Sequence, residues 1–495
     1  MSFPYLSTIV FLPLIGAIVI ALLPSATPRR IKRAAALFTV VPFILSVALF
    51  SMFDRSLVGT PQFVEQVSWV PSIDIQYFLG IDGLSLPMLI LTTMLGFIAV
   101  LVSWRIDLRA REYFAWLLVL ETGILGVFCS LDLILFFLFW EVEIIPMYLL
   151  ISIWGTGRKE YSAIKFVIYT LLGSALMLAG ILILYSQVHT FDMVVLAGMG
   201  IEAGIGSTMA AAVFFLLFIG YAVKLPVFPL HTWLPDAHTD APTAVSVILA
   251  GVLLKMGGYA MLRVCVSMFP ETSQTYAPLL VALAVVGILY GAAVTLRQTD
   301  LKRLIAYSSI SHMGYVLLGI FALSQVSMTG ATLQMFSHGF VTGLLFALVG
   351  LVYEKAHERS IPKLGGLARR MPIIVVVFSV AGLASLGLPG TSGFAAEFLV
   401  FLGSFNSGVV PGIEVYTILG VLGIVITAGY ILWMLQRVFY GPPMEQYQAV
   451  SDANRLEMFT IFSMVAVIML IGLYPRILTD VINMGILPIL GGLGL

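Results

Sequence analysis

The sequence has little charge, and this shortage excludes most soluble proteins. Only 10% of its 495 residues are charged, whereas roughly a quarter are charged in a typical soluble domain. Because 60% of the residues are hydrophobic, too little polar surface is left to cover a soluble protein of this size. The 25 basic and 25 acidic residues cancel, so no basic field indicates nucleic acid as a partner. The composition therefore indicates a protein that lies inside a lipid bilayer.

Cysteine and the usual cofactor motifs are also scarce. Two cysteines, Cys129 and Cys265, are too few for a disulfide framework, a cysteine zinc site or a cysteine-held iron–sulfur cluster. No glycine-rich phosphate loop opens a predicted helix, so NAD, flavin and ATP have no evident binding motif. We therefore expect no cofactor and no metal in this chain.

Long apolar runs recur along the whole chain. A helix needs about 20 mainly apolar residues to cross ~30 Å of hydrocarbon. With that length as the criterion, the sequence predicts an all-α polytopic membrane protein with about fourteen transmembrane helices, called spans 1 to 14 below. Their predicted limits are 3–23, 31–53, 82–104, 112–129, 132–154, 162–185, 211–231, 242–263, 276–297, 303–322, 328–353, 372–404, 413–437 and 457–475.

The basic residues fall on one side of these spans. Twenty of the 25 lysines and arginines lie in or beside the loops that follow odd-numbered spans. Such a bias is typical of cytoplasmic loops. We therefore expect a multi-pass protein of the bacterial cytoplasmic (inner) membrane, with both termini on the outer, periplasmic side.

A small set of ionisable residues remains inside the predicted spans. A charge at this depth costs at least ~2.5–3.5 kcal/mol, so such residues are expected to be functional. The set consists of Glu121, Glu141, Glu143, Lys224, Lys255 and Glu397, with His312 and His338 near mid-depth. Several such groups at one depth favour a proton relay, and the alternative is that they are buried ion pairs that fix helix register. Glu141 and Glu143 are about 200° apart on a helix, so at most one of them can face a given partner.

Two spans are interrupted beside one of these charges. Prolines follow Lys224 in span 7, and a Pro-Gly pair precedes Glu397 in span 12. Irregular backbone at membrane depth is tolerated only where it is buried in protein or lines a watery cavity. Spans 4–8 and 9–13 have opposite topology, and each set has its broken helix in fourth place. This arrangement predicts two inverted five-helix repeats with sites near mid-membrane.

These repeats divide the chain into four parts. We expect N-terminal spans 1–3 in 1–111, the first repeat in 112–265 and the second repeat in 266–440. The remaining 441–495 would hold a loop, span 14 and a short tail.

Several long motifs resemble those of one family. They are FFLFWEVEIIPMYLLISIWG, KLPVFPLHTWLPDAHTDAPTAVSVILAGVLLKMGGY, LKRLIAYSSISHMGY and LPGTSGFAAEF. They resemble the antiporter-like subunit M (chain 4 type) of proton-pumping NADH:quinone oxidoreductase, respiratory complex I, and the resemblance covers essentially the whole chain.

The resemblance implies a role for each buried charge. It implies that Glu141 is the essential carboxylate and that Lys224 is its partner in a switch. Lys255 and His312 would pass the proton along the membrane, and Glu397 would exchange it with the outer side. The secondary candidates are Glu121, Glu143, His231, His238 and His338. Of these, His231 and His238 either gate proton intake from the cytoplasm or only hydrogen-bond the irregular backbone of span 7.

The same resemblance implies where the redox chemistry lies. NADH, FMN, iron–sulfur clusters and quinone would be bound by partner subunits, and the neighbours would be antiporter-like subunits of the L and N types and membrane lipid. Three alternatives stay open: a cation/proton antiporter subunit of the Mrp type, a membrane-bound hydrogenase relative, and a membrane cytochrome. The cytochrome would use His312 and His338 as axial haem ligands.

Overall fold

Apolar helices make up nearly all of the structure, a computed structural model that describes residues 3–23 and 27–494. The helices are α1 (Tyr5–Leu22), α2 (Pro28–Met52), α3 (Ser85–Val102), α4 (Ala110–Cys129), α5 (Leu133–Val142), α6 (Ile144–Trp154), α7 (Lys159–Val188), α8 (Met193–Gly198), α9 (Ile201–Ile205), α10 (Ser207–Lys224), α11 (Trp233–Asp240), α12 (Thr243–Ile248), α13 (Leu254–Ala260), α14 (Pro270–Leu296), α15 (Leu301–Phe321), α16 (Gln325–Ala356), α17 (Pro372–Ser385), α18 (Ser392–Phe405), α19 (Ile413–Val438), α20 (Arg455–Leu473) and α21 (Arg476–Leu493). Two π-helical stretches flank α13, at Leu249–Leu253 and Met261–Val266.

The predicted polytopic helical fold is confirmed. Within the described residues, fourteen helical segments are long and apolar enough to cross a membrane, and all but one of them correspond to predicted spans. Span 5 consists of α5 and α6, and span 8 consists of α12, α13 and their π-helical turns. Span 12 is divided into the shorter helices α17 and α18. The segment without a predicted span is α21, in the part of the chain expected to be a short tail.

Helix α21 lies across one face of the bundle instead of crossing it. The carbonyl of Leu493 accepts a hydrogen bond from Gln274 in the first turns of α14, at 2.8 Å. The side chain of Asn483 accepts one from Thr329 in the first turns of α16, at 2.6 Å. Since α14 and α16 belong to odd-numbered spans, they begin on the face where α1 begins, which we call the N face. The opposite face carries most of the basic residues, and we call it the basic face.

A small β-hairpin also lies on the N face, between α2 and α3. Strands β1 (Gln62–Val70) and β2 (Ile75–Ile81) pair antiparallel. The carboxylate of Glu65 accepts a hydrogen bond from the backbone amide of Leu6 at 2.7 Å and so caps α1. The expectation of a purely α-helical chain missed this hairpin. A two-stranded hairpin is stable only when it packs on something else, and local residue patterns do not reveal that packing.

Both predicted helix breaks are present, and both lie in the interior. Helix α10 ends at Lys224 and the chain becomes helical again at Trp233, while α17 ends at Ser385 and α18 begins at Ser392. The most completely buried long helices, α15 and α16, pass between the two breaks and contact α11 and α18 respectively. The interior is therefore where polar side chains from several spans can meet. The two-repeat arrangement and the four-part division stay predictions.

Candidate functional site

An ion pair is buried where span 7 breaks. Lys224 is the last residue of α10, because Pro226 follows shortly and cannot continue the helix. The Nζ atom of Lys224 forms a salt bridge with Oε1 of Glu143, and the two side chains are 2% and 0% exposed. The same Nζ atom lies 5.4 Å from the ring centroid of Trp140, whose π-face is a favourable neighbour for an ammonium group.

The acid that contacts Lys224 is not the one that the sequence analysis favoured. We expected Glu141 to pair directly with Lys224. Glu141 is instead partly exposed and forms no salt bridge within the described residues, although it lies within electrostatic range of Lys224. The reason is the helix face on which each acid lies. Glu141 shares its face with the exposed Leu138 and Ile145, whereas Glu143, about 200° away, is buried. The functional role of Glu141 stays a prediction.

Lys255 lies at the centre of the bundle, on α13. Its side chain is fully buried. Its Nζ atom donates a hydrogen bond to the carbonyl of Ala250 and lies 2.8 Å from Nδ1 of His338. Ala250 belongs to the π-helical stretch Leu249–Leu253, and such turns are frequent at functional sites. Sequence reasoning missed this turn, because no residue type distinguishes a π-helical turn from an α-helical one.

Close glycine packing brings α13 against the break in span 7. A Cβ atom on Gly257 would lie 2.6 Å from the carbonyl oxygen of Tyr221 and 2.7 Å from the backbone nitrogen of Leu225. Lys224 stands next to this contact, and Lys255 is two residues before Gly257. The two lysines therefore lie on directly packed segments, although no hydrogen bond joins their side chains in the part of the chain that the structure describes.

Two histidines continue from Lys255 toward the break in span 12. The ring centroids of His338 and His312 are 5.4 Å apart. Nδ1 of His312 lies 3.3 Å from Oε1 of Glu397, and Nε2 of His312 lies 3.2 Å from the hydroxyl of Ser385. We call Lys255, His338, His312 and Glu397 the central row. His338 was only a secondary candidate, yet it fills the position between Lys255 and His312.

The glycines of the second break make room for Glu397. Gly387 and Gly390 have φ values of +76° and +92°, in the left-handed region that glycine adopts without strain. A Cβ atom on Gly387 would lie 2.7 Å from Oε2 of Glu397. The break therefore ends α17 and at the same time leaves space for the carboxylate at the end of the central row.

A small polar cavity lies between the two histidines and the second break. The space available to the centre of a water-sized sphere is about 10 Å³. Its walls are His312, Gln334, Ser337, His338, Val341, Ala384, Ser385, Gly393 and Glu397. A cavity of this size is far smaller than a porphyrin, so the arrangement of the two histidines does not support the cytochrome alternative.

A buried histidine approaches Lys255 from the basic face. His238 is fully buried, and its ring stacks on that of Phe346 with centroids 4.5 Å apart. It lies within electrostatic range of both Lys255 and Lys302. Lys302 is itself buried, and its Nζ atom donates a hydrogen bond to the carbonyl of Ala241 at 2.6 Å. Sequence reasoning counted Lys302 only as a loop charge, because its burial depends on distant segments.

Two further candidates lie apart from the central row. The carboxyl group of Glu121 packs directly on Gly96, and its Oε1 has no hydrogen-bond partner among residues 3–23 and 27–494. His231 lies between Phe228 and Tyr290, with ring centroids 5.6 and 5.0 Å away. The structure brings neither residue into contact with the central row.

Comparison with known proteins identifies the family of this chain. The family model described as NADH:quinone oxidoreductase/Mrp antiporter, transmembrane, matches residues 130–427. The chain belongs to this family. Its resemblance to subunit M is confirmed, since curated relatives that match nearly the whole chain carry that name or the name chain 4.

The similarity to these family members extends over nearly the whole chain. The chain is 43% identical to NAD(P)H-quinone oxidoreductase chain 4 1 of Synechococcus elongatus, over 97% of this chain and 90% of the relative. It is 42% identical to NADH-quinone oxidoreductase subunit M of Rhodobacter capsulatus, over 97% of this chain and 94% of the relative. A chain in the structure of respiratory complex I from Thermus thermophilus is 28% identical and superposes with a TM-score of 0.87, covering 99% of this chain and 100% of that one. The chain is thus about equally similar to the chain 4 relative of Synechococcus elongatus and to the subunit M relative of Rhodobacter capsulatus.

Proposed function

We propose that this chain is an M-type subunit of proton-translocating NADH:quinone oxidoreductase (complex I) and that it moves protons outward across the membrane. The central row is the observation that carries the proposal. Lys255 contacts His338 at 2.8 Å, and His312 lies 3.3 Å from Glu397, so titratable groups follow one another through the buried interior. Buried ionisable groups are expensive, and a continuous row of them is expected where protons move.

The Lys224–Glu143 pair supplies the switch in this proposal. Burial disfavours the ammonium form of a lysine, whereas a nearby carboxylate favours it. When the pair is closed, Lys224 therefore holds its proton, and when the pair opens, the proton becomes available to Lys255 on the adjoining segment. In this proposal Glu141 also takes part, which is supported by its proximity to Lys224 and its partial exposure.

In this proposal protons enter the bundle at one face and leave it at the other. We assign intake to the basic face, where Lys302 and His238 form a buried approach to Lys255. Release would follow Glu397, because α18 continues from the second break toward the N face. The excess of basic residues on the opposite side favours the N face as the outer, periplasmic side. Both termini would then face outward in a bacterial cytoplasmic membrane.

The driving reaction would lie in other subunits. NADH, FMN, iron–sulfur clusters and quinone are assigned to partners. The neighbours in the membrane arm would be subunits of the L and N types. Exposed apolar residues beside Glu141, such as Leu138 and Ile145, offer them a contact face.

Replacement of His338 tests the proposal. In the assembled complex we expect His338→Asn to lower proton translocation and quinone reduction together, at least ten-fold, because the row is interrupted and a stalled pump stalls its driver. His189→Asn is the matched control, since His189 is exposed and far from the row along the chain. Wild-type pumping per electron by a fully assembled His338→Asn complex would refute the proposal.

A second preparation tests the Mrp-type alternative. Membranes that contain this chain but lack the oxidoreductase partners should show no cation/proton antiport if it is an M-type subunit. Sodium-driven proton movement in such membranes, abolished by His338→Asn, would favour the antiporter instead.

A further inference from the structure

A cavity opens at the basic face between α3, α16 and α20, and no step of the proposed proton path uses it. Its volume is about 270 Å³. Apolar residues form most of its walls, among them Leu101, Ala347, Gly350, Leu351 and Ile461. An engineered apolar cavity of about 150 Å³ binds benzene. The cavity at the basic face is therefore large enough to hold part of a hydrocarbon chain.

The mouth of this cavity is charged. Arg105 lies just after α3, Glu354 in the last turn of α16, and Glu457 in the first turn of α20. One guanidinium nitrogen of Arg105 lies 3.3 Å from Oε2 of Glu354, and another lies 2.8 Å from Oε1 of Glu457. Nζ of Lys355 lies 3.0 Å from Oε2 of Glu457. We call these four residues the mouth cluster, and its two positive and two negative side chains give it no net charge.

The charged mouth and the apolar walls lie at different depths. Ala347 comes seven residues before Glu354 on α16, and Ile461 comes seven residues after Asn454, which caps α20. At 1.5 Å per residue, each of these steps is about 10 Å along the helix axis. The mouth is therefore at the level where the helices end, and the walls are within the apolar part of the bundle. A molecule that fits both parts has a polar headgroup and an apolar chain, as a membrane lipid does.

The exposed members of the mouth cluster carry opposite charges. The side chain of Arg105 is 54% exposed and that of Glu354 is 34% exposed, so both can contact a headgroup. The guanidinium group of an arginine matches the geometry of a phosphate. The carboxylate of Glu354 accepts hydrogen bonds, and a primary ammonium group offers three donors.

These charges distinguish among the common phospholipid headgroups. A headgroup with a phosphate and no amine would bring its negative charge beside Glu354 and Glu457. A choline headgroup carries a positive charge but has no N–H group to donate to Glu354. An ethanolamine headgroup supplies both a phosphate for Arg105 and a primary ammonium group for Glu354.

We propose that this cavity binds one molecule of phosphatidylethanolamine from the surrounding membrane. One acyl chain lies between α3, α16 and α20, the phosphate contacts Arg105, and the ammonium group donates to Glu354. The proposal is independent of the proton path, because it needs only the cavity and the mouth cluster.

A substitution that fills the cavity tests whether a lipid binds there. Leu351→Trp places a larger side chain among the walls and leaves the mouth cluster intact. Leu432→Trp is the matched control, because Leu432 is 52% exposed on α19 and does not line the cavity. The assembled complex is depleted of lipid in detergent and incubated with isotope-labelled phosphatidylethanolamine, and the bound lipid is counted by mass spectrometry. We expect the wild type and Leu432→Trp to bind one molecule more per complex than Leu351→Trp, and equal numbers in all three would overturn the proposal.

A change at the mouth tests the headgroup. From an equal mixture of phosphatidylethanolamine and phosphatidylcholine, the wild type should fill this site with phosphatidylethanolamine at least five-fold more often, counted relative to Leu351→Trp. In Glu354→Gln we expect this preference to fall below two-fold while the chain still binds. Glu112→Gln is the matched control, because Glu112 forms an exposed ion pair with Arg109 on the same face. An unchanged preference in Glu354→Gln would refute the assignment of the ammonium group.

A high-resolution map of the wild-type complex identifies the occupant without any substitution. We expect continuous density that begins beside Arg105 and ends beside Ala347. This result keeps the proposal testable even if Leu351→Trp fails to assemble. A side chain of a neighbouring subunit in the cavity, ordered water alone, or a preference for a free fatty acid or phosphatidylglycerol would each overturn the proposal.

Discussion

Lys224 has two carboxylates within electrostatic range and touches only one of them. Glu143 makes the salt bridge and is completely buried, whereas Glu141 is partly exposed. A buried ammonium that loses its only direct counter-ion is strongly destabilised, typically by about 3–5 kcal/mol, unless it gives up its proton. The two acids are therefore expected to fail in different ways when each is neutralised.

Neutralising Glu143 and Glu141 one at a time should show which of them keeps the proton on Lys224 and which of them only exchanges protons. We expect Glu143→Gln to lower the thermal stability of the complex as well as pumping, because Lys224 loses its contact. Glu141→Gln should lose pumping with nearly normal stability, because Glu141 holds no ion pair in the described residues. The measurements are the melting temperature and the protons moved per electron on the same purified complexes.

The opposite result would reverse the assignment of the two acids. If Glu141→Gln melts early while Glu143→Gln is as stable as the wild type, then Glu141 is the direct partner of Lys224 in the assembled complex. Lys224→Ala is the common reference, since the effect of losing the true partner should largely disappear when the lysine is absent.

Single residues were easier to predict than their contacts. Charge at membrane depth is rare enough that Lys224, Lys255, His312 and Glu397 could be picked out from the sequence alone. Which carboxylate meets Lys224 could not, because the sequence does not show which face of span 5 packs against span 7. Contacts between distant spans need three-dimensional packing, and a linear pattern does not contain it.

At the scale of helices, proline and glycine determine where the site can form. The break in span 12 needs two glycines in the left-handed region, and one of them, Gly387, also leaves space for the Glu397 carboxylate. These breaks were visible in the sequence. The π-helical stretches beside Lys255, the N-face hairpin and α21 were not, because each depends on packing against a neighbour.

Alanine at Gly387 should disturb the end of the central row. The left-handed backbone costs a residue with a Cβ atom roughly 1–2 kcal/mol, and the new methyl group would meet Oε2 of Glu397. We expect a lower melting temperature and a loss of proton translocation larger than this stability change explains. Gly408→Ala is the control, because a Cβ atom there meets nothing within 4 Å. Normal pumping by Gly387→Ala would show that the position of Glu397 is not critical.

At the scale of the whole molecule, carboxylates from distant segments cap the beginnings of helices. Glu65 on the hairpin caps α1, and Glu202 accepts a hydrogen bond from the backbone amide of Thr272 in α14 at 2.8 Å. Asp452 does the same for Ile373 in α17, at 2.8 Å. A carboxylate at a helix beginning satisfies free amide groups and complements the helix dipole. These three carboxylates thus join distant segments together at the two faces.

Asp82 is the member of this group with a charged partner. It precedes α3 on the N face, accepts hydrogen bonds from the backbone of Leu84 and Ser85, and pairs with Arg263 of span 8 at 2.7 Å. Burial alone would raise the pKa of the Asp82 carboxyl. The guanidinium of Arg263 and the hydrogen bonds from Ser85 outweigh burial and hold this pKa below its usual range. The pair therefore fastens the start of α3 to the helix that carries Lys255.

The lowered pKa of Asp82 gives a pH dependence with a definite sign. A carboxyl whose pKa is lower in the folded state stabilises the fold above its unfolded pKa of about 3.9, and this contribution is lost as the pH falls through the folded value. The melting temperature of the wild-type complex should therefore fall more steeply below about pH 4 than that of Asp82→Asn. At neutral pH the variant should be less stable by about 3–5 kcal/mol, because Arg263 keeps a largely buried charge without a counter-ion. Asp480→Asn is the matched control on the same face: its pair with Arg476 is exposed, with side chains 41% and 73% accessible, so its loss should cost at most about 1 kcal/mol. Equal melting curves for the two variants at neutral pH would show that the Asp82–Arg263 pair does not hold span 3 to span 8.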